Sequence, residues 1–144
     1  MVSDFTYEKI IPTDEQILVL FELLNNREHR ISHNGSVTFE SHKAFVCDNP
    51  YRAWYIVKRE ELSLGDFYVT TENTIGINLK DYENDNAVLE ILLFVKRMYK
   101  PLDAIPSVRR GRFAVNVPPT NHSLSKILSN LGAELAQVTY YLPK

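Results

Sequence analysis

The side chains able to move a proton near neutral pH are scattered along this chain. Four histidines stand at positions 29, 33, 42 and 122, and imidazole is the group whose ordinary pKa lies nearest neutrality. His42 falls in a helical segment beside Phe45, a setting that suits packing as well as acid–base work. His29 and His33 lie in a polar stretch that reads as a surface loop, and His122 follows Asn121 at a helix start, where it caps or solvates. Neither these residues nor the single Cys47 show metal-ligand spacing, so no metal is expected. A lone cysteine also excludes a disulfide framework and suits a reducing cytosol. Tyr140 and Tyr141 occupy successive positions of an apolar terminal segment, and alternation along a strand would turn one hydroxyl towards a cleft. Asn116 and Asn121 bracket a proline loop. Asn121, directly before a helix, reads by default as an N-cap. Arg109, Arg110 and Arg112 form the one dense basic cluster, either a solvated loop or a phosphate contact.

The elements that must position these groups follow from composition and periodicity. With 144 residues, 44% apolar, 24% charged and a net charge of −2, the chain reads as a single domain over residues 1–144. The charge balance provides no field for nucleic acid. The longest apolar run, Ile91 to Val95, is too short to span a bilayer. The first residues lack the basic and apolar regions of a signal peptide, so a cytoplasmic location is expected. Phe5 to Ile11 alternates like a strand. Thr13 or Asp14 then caps a helix carrying Ile17, Leu20, Phe21 and Leu24. A loop from Arg27 to Thr38 leads to a short helix closed by Asn49-Pro50. Three strands follow, over Ala53–Lys58, Leu64–Thr71 and Thr74–Leu79, with a turn at Glu72-Asn73. A helix bearing Val88, Leu92, Val95 and Met98 comes next, then a strand Phe113–Val117, a helix from His122 to Leu131 and a closing strand Leu135–Leu142. The order is β-α-α-β-β-β-α-β-α-β, a mixed α/β (α+β) arrangement.

Several motifs in this order resemble the GCN5-related N-acetyltransferases (GNAT), and within them a bacterial and phage-like branch. The helix reads Phe39-Glu40-Ser41-His42-Lys43-Ala44-Phe45-Val46, followed by Asn49-Pro50-Tyr51-Arg52-Ala53-Trp54-Tyr55-Ile56. The third strand of the run is Asn73-Thr74-Ile75-Gly76-Ile77, and the ending is Gln137-Val138-Thr139-Tyr140-Tyr141-Leu142. Asn121 precedes Gly132 by one helix length. The resemblance implies a GNAT-like fold: a central twisted mixed sheet of about six to seven strands flanked by about four helices. It implies acetyl-CoA as co-substrate and a small-molecule amine, aminosugar-like, as acceptor, with the protein a monomer or homodimer and with no membrane partner. By this likeness Ile77, Asn78, Leu79, Asn84, Asn86, Ala87 and Asn121 lie at the acetyl-CoA, and Arg30, Ser32 and His33 at the acceptor. The pantetheine would lie between two parting parallel strands, whose free amide groups bind an amide-rich ligand.

The departures from the family concern catalysis and phosphate binding. Asn84, Asn86 and Val88 stand where a glycine-rich phosphate turn is expected, and Asp81, Glu83 and Asp85 surround that turn with carboxylates. These acids either oppose a pyrophosphate or simply meet the positive end of a helix. Leu128 occupies the place of the family's tyrosine acid, and Asn116 and Thr74 the places of its glutamate bases. Tyr140, Tyr141 and Asn116 remain as catalytic candidates. The two functions left open are an N-acetyltransferase and a GNAT-like domain without catalysis that binds or scaffolds.

Overall fold

A computed structural model describes residues 4–27, 37–82 and 85–144. The first strand, β1 (Thr6–Lys9), leads into helix α1 (Asp14–Asn25). Thr13 caps α1 through a reciprocal box with Gln16: the Thr13 hydroxyl accepts from the Gln16 N–H, and the Gln16 carboxamide accepts from the cap. The same Gln16 side chain donates to the Lys9 carbonyl and to Glu8, which fixes the helix start to the end of β1. Helix α2 (Phe39–Cys47) starts under a Thr38 cap.

Strands β2 (Ala53–Arg59), β3 (Leu62–Val69) and β4 (Thr74–Leu79) then form an antiparallel meander, with β1 antiparallel on the outer side of β2. After helix α3 (Asp85–Met98), the two-residue strand β5 (Ala114–Val115) pairs with β4 in parallel, and helix α4 (His122–Asn130) follows. The sheet order is β1-β2-β3-β4-β5.

Strand alternation divides the core between the two faces of this sheet. Tyr55, Val57, Phe67, Val69, Ile75 and Ile77 turn to the face covered by Ala87, Val88, Ile91 and Val95 of α3 and by Leu124 and Ile127 of α4. Trp54 and Ile56 turn to the other face, against Ile17, Leu20 and Leu23 of α1 and Val46 of α2. Covering on both faces explains why β2 reads as the unbroken apolar run Ala-Trp-Tyr-Ile-Val.

One buried residue locks the end of β4 that starts the β4–β5 pair. Asn73 adopts φ 66°, a left-handed turn conformation that Asn tolerates. Its Nδ2 donates to the carbonyls of Leu102 and Arg110, and its Oδ1 accepts from the Leu102 N–H, all at 2.8 Å. Its own carbonyl accepts from Ala114 at 3.0 Å. The 99–113 connection is thereby pinned beside the β3–β4 turn, and Arg109 reinforces it by donating to the carbonyls of Asp103 and Thr71. Arg109 of the basic cluster thus serves as a structural brace.

Three sequence expectations are corrected. The described residues form five strands, below the six to seven expected. The expected strand Phe113–Val117 is reduced to Ala114–Val115, because only these two residues meet β4 before the chain turns away towards Pro118. The expected closing strand Leu135–Leu142 does not form, and residues 133–144 are exposed throughout. Its apolar alternation has strand character, but a strand exists only by pairing with an edge, and none of the chain's own strands pairs with it.

Candidate functional site

The β4–β5 pair is closed at one end and open at the other. Thr74 faces Ala114 and Ile75 faces Val115, and beyond them β4 continues through Gly76, Ile77, Asn78 and Leu79 without a β5 partner. Lys80 donates to Leu64 of β3, so even-numbered residues here point their amides at β3 and odd-numbered ones at the cleft. The Ile77 carbonyl and the Leu79 N–H are therefore among the backbone groups facing the gap.

The Tyr82 hydroxyl fills both. It accepts from the Leu79 N–H at 3.0 Å and donates to the Ile77 carbonyl at 2.9 Å. Burial raises the pKa of this phenol, so it stays protonated and able to donate. Asn121 stands close enough to act on the Tyr82 hydroxyl. Its Oδ1 caps α4 by accepting from Leu124 at 3.1 Å, while its Nδ2 is buried without a hydrogen-bond partner. The cleft thus holds an acceptor–donor pair of backbone groups covered by a side chain, with the Asn121 amide donor, which makes no full hydrogen bond, beside that phenol.

The opposite face of the same strands carries a buried acid. Asp66 on β3, directly across from Asn78 of β4, is 1% exposed. Trp54 Nε1–H donates to its Oδ2 at 2.9 Å, and Arg27 approaches Oδ1 at 3.6 Å. Desolvation pushes the Asp66 carboxyl above its usual range, with the Arg27 charge and the Trp54 and Asn78 contacts pulling back. The ion pair is incomplete, since Asp66 Oδ1 and Arg27 Nε are both buried without a hydrogen bond. Such a pair offsets its desolvation poorly.

Two residues further along β3, Tyr68 lies on the same face, stacked on Tyr51 with ring centroids 4.0 Å apart. Its ring crosses Gly76 so closely that a Cβ on that glycine would overlap it. Gly76 is the first β4 residue past the paired ladder, so the Tyr68 hydroxyl stands where the strands part. Burial, and then the nearby Asp66 charge, raise its pKa. Carboxylate, phenols and the Trp54 ring together form an environment that attracts a cation, and Arg27 occupies it from within the chain.

The positions expected from sequence divide unevenly. Ile77, Leu79 and Asn121 are brought together at the cleft, joined by Tyr82. Asn78 turns to the Asp66 side instead. Ala87 is buried in the core of α3 and Asn86 is exposed in that helix's first turn. Asn84, Arg30, Ser32 and His33 lie outside the described residues, as does His29. Asn116 is exposed just beyond the end of β5, and Tyr140 and Tyr141 are exposed in the terminal segment. The reason for the tyrosines is the missing strand: without pairing, alternation gives no inward face. His42 is buried against Phe21, where desolvation lowers its pKa, and acts as a packing residue. Among the described residues no cluster of His, Cys, Asp or Glu suits a metal ion.

Sequence reading missed Asp66, Tyr68 and Tyr82. The first two sit in a strand whose alternation looks like ordinary core. The signal for Tyr68 was Gly76, a glycine inside a strand, which marks close approach by another group.

No protein-family model matches the chain, and a comparison with curated protein sequences finds no match. Solved structures do match. The aminoglycoside N-acetyltransferase AAC(6')-Iy in complex with CoA superposes with a TM-score of 0.64 at 12% identity, covering 100% of this chain and 97% of that one. The chain has the GNAT fold. An integron cassette protein from V. cholerae matches at TM-score 0.63 and 9% identity over 99% of this chain and 94% of its own. An aminoglycoside acetyltransferase from an uncultured soil metagenomic sample, solved with sisomicin, matches at 0.52 and 14% over 97% and 96%. A GNAT architecture accounts for the single parallel pair at the margin of an otherwise antiparallel sheet and for the helix that starts just past the free end of β4.

Proposed function

We propose that the chain is an acetyl-CoA-dependent N-acetyltransferase acting on a cationic, aminosugar-like amine. The observation that carries this reading is the Ile77 carbonyl and Leu79 N–H pair, turned into the gap between parting parallel strands and covered only by the Tyr82 hydroxyl. One amide of a pantetheine arm offers the same donor and acceptor as that phenol, and Asn121 Nδ2 offers a further donor beside it. Neighbours of the same fold are described with CoA and with a bisubstrate analogue of CoA and acetylneamine.

The acceptor side follows from the buried acid. An ammonium group brings three donors to Asp66, which Arg27 meets with a single long contact. Asp66, held above the usual carboxylate range by burial, takes one proton from that ammonium and frees the nitrogen lone pair. As the C–N bond forms and the C–S bond breaks, the Tyr68 hydroxyl at the parting of the strands donates its proton to the leaving thiolate. The phenolate then recovers a proton from the amide nitrogen, and Asp66 releases its own to water. Titrating acetyl-CoA calorimetrically into the wild type and Tyr82→Phe tests the cofactor half: binding by both is expected, and no heat from either at millimolar ligand would overturn it. Thiol release with a panel of aminosugars tests the acceptor half.

A second reading, a GNAT-fold module that binds without catalysis, draws on the same tyrosine. Tyr82 closes the cleft from within, and Asp81 stands exposed just beyond β4. Turnover with any amine of the panel would exclude it.

A further inference from the structure

The buried polar atoms that lack partners are concentrated in one place. Among the described residues five such side-chain atoms make no hydrogen bond, and Arg27 Nε, His42 Nε2 and Asp66 Oδ1 are three of them. The charges of Asp66 and Arg27 both act on His42, Tyr51, Tyr68 and Tyr82. The pair therefore lies among ring side chains drawn from α2, the connection to β2, β3 and the loop after β4. A fold normally satisfies its buried polar atoms, so three left open together mark a place that its present occupant does not fit.

That occupant is Arg27. Its guanidinium reaches Asp66 only through Nη2 at 3.6 Å, beyond hydrogen-bond distance, whereas this pair is strong when it makes two parallel hydrogen bonds. Trp54 already satisfies Oδ2, so Oδ1 is the oxygen left open. Arg27 stands just past the cap of α1, its N–H donating to the Leu24 carbonyl at 3.3 Å. Its side chain is 25% exposed and that of Asp66 only 1%. The guanidinium thus spans from solvent to the buried acid, and the path it fills is the path a ligand would take. A primary ammonium is more compact and carries three rotatable donors, so it can meet Oδ1 where the planar guanidinium does not.

We propose that Arg27 is a displaceable plug in a cation site on Asp66, and that it selects the acceptor by competing with it. A primary ammonium, which brings donors to Oδ1, replaces the guanidinium; a quaternary ammonium, which has none, does not. This rests on Asp66 serving the acceptor side, as proposed above. Arg27 sets specificity without touching the reacting atoms, since it leaves before the nitrogen arrives. The plug lowers apparent affinity by the fraction of molecules in which it is out, so removing it tightens cation binding.

Trp54 is the only tryptophan and donates to the same carboxyl, so its emission reports on the site without any acyl transfer. The full chain is titrated with methylguanidinium, ethylammonium or tetramethylammonium chloride, and thermal melts are recorded alongside. In Arg27→Ala the first two ions are expected to raise the melting temperature and shift the emission to saturation. They should do so at concentrations about tenfold or more below those wild type needs, and tetramethylammonium should do neither. Equal concentrations for wild type and variant, or equal effects of all three ions, overturn the proposal. Arg27→Gln, which keeps a stem and drops the charge, is expected to respond like Arg27→Ala. Two unfolded variants that neither ion refolds overturn it as well, because a filled site restores the fold. The double variant Arg27→Ala/Asp66→Asn is expected to fold and to respond to none of the ions; a surviving response overturns the assignment to Asp66. Cation binding without acetyl transfer supports the plug and overturns only the acetyltransferase reading.

Discussion

The two ends of β4 solve the same problem in opposite ways. At the Asn73 end the strand is tied by a buried carboxamide making three hydrogen bonds to the 99–113 connection, with β5 paired alongside. At the Leu79 end its cleft-facing groups are satisfied by one phenol from the next loop. The first set of bonds lies within the structural frame and has no replacement, so losing it leaves several buried groups unpaired. The second can be exchanged for any ligand presenting one donor and one acceptor. A single strand is thus tied by several buried hydrogen bonds where register is set and covered by one side chain at its other end.

The largest expected effect breaks the rigid end. Asn73→Ala removes three buried hydrogen bonds and places a Cβ-only residue at positive φ, and should cost about 3 kcal/mol or more. Urea denaturation would read this as a lowered midpoint. A loss under about 1 kcal/mol would show that the connection is held by other contacts.

Next comes the point where the strands part. Gly76→Ala forces the Tyr68 ring from its stack on Tyr51, and overpacking of this kind costs about 1–3 kcal/mol. Acetyl transfer should fall much further than stability, by about 100-fold, the scale of a lost proton donor. Equal losses in both would assign Tyr68 to packing alone.

Asp66→Asn separates charge from shape in the same region. A carboxyl whose folded pKa is raised binds its proton more tightly folded than unfolded. Its stabilising contribution is therefore full below the ordinary carboxyl pKa of about 4 and declines as pH rises through the folded value. The variant lacks this term, so wild type should lose stability relative to Asp66→Asn as pH increases above about 4. Thermal melts of the two proteins across pH would show it, and a constant difference would count against a raised pKa.

The smallest effect tests the replaceable end. Tyr82→Phe leaves the Ile77 carbonyl and Leu79 N–H to cleft water and should lower stability by about 1 kcal/mol. Removing the competitor should tighten acetyl-CoA binding by about fivefold, measured by calorimetry. Weaker binding would mean that the hydroxyl contacts the ligand directly.

Much of the frame was legible because its signals are local. Thr13 with Gln16, Thr38 before Phe39 and Asn121 before His122 each mark a helix start that the structure keeps. The Glu72-Asn73 turn and the apolar run of β2 were equally readable. The site was less so. Asp66 looks like any residue of an alternating strand until α1 covers it, and Tyr82 sits in a polar stretch where nothing local announces a hydroxyl reaching back three to five residues to β4. Tyr140 and Tyr141 were unreadable for a related reason: both were assigned by alternation along a segment that, among the described residues, has no strand partner to define its faces.

By itself the sequence determined the succession of helices and strands, their caps, and which strand is apolar on both sides, since these rest on periodicity and on hydrogen bonds between near neighbours. Only the tertiary structure decided which buried groups lack partners, which tyrosine closes the cleft and which carboxyl is buried behind it. Those depend on contacts between segments far apart in the chain, such as Trp54 with Asp66 and Asn73 with Leu102, and no local propensity encodes them.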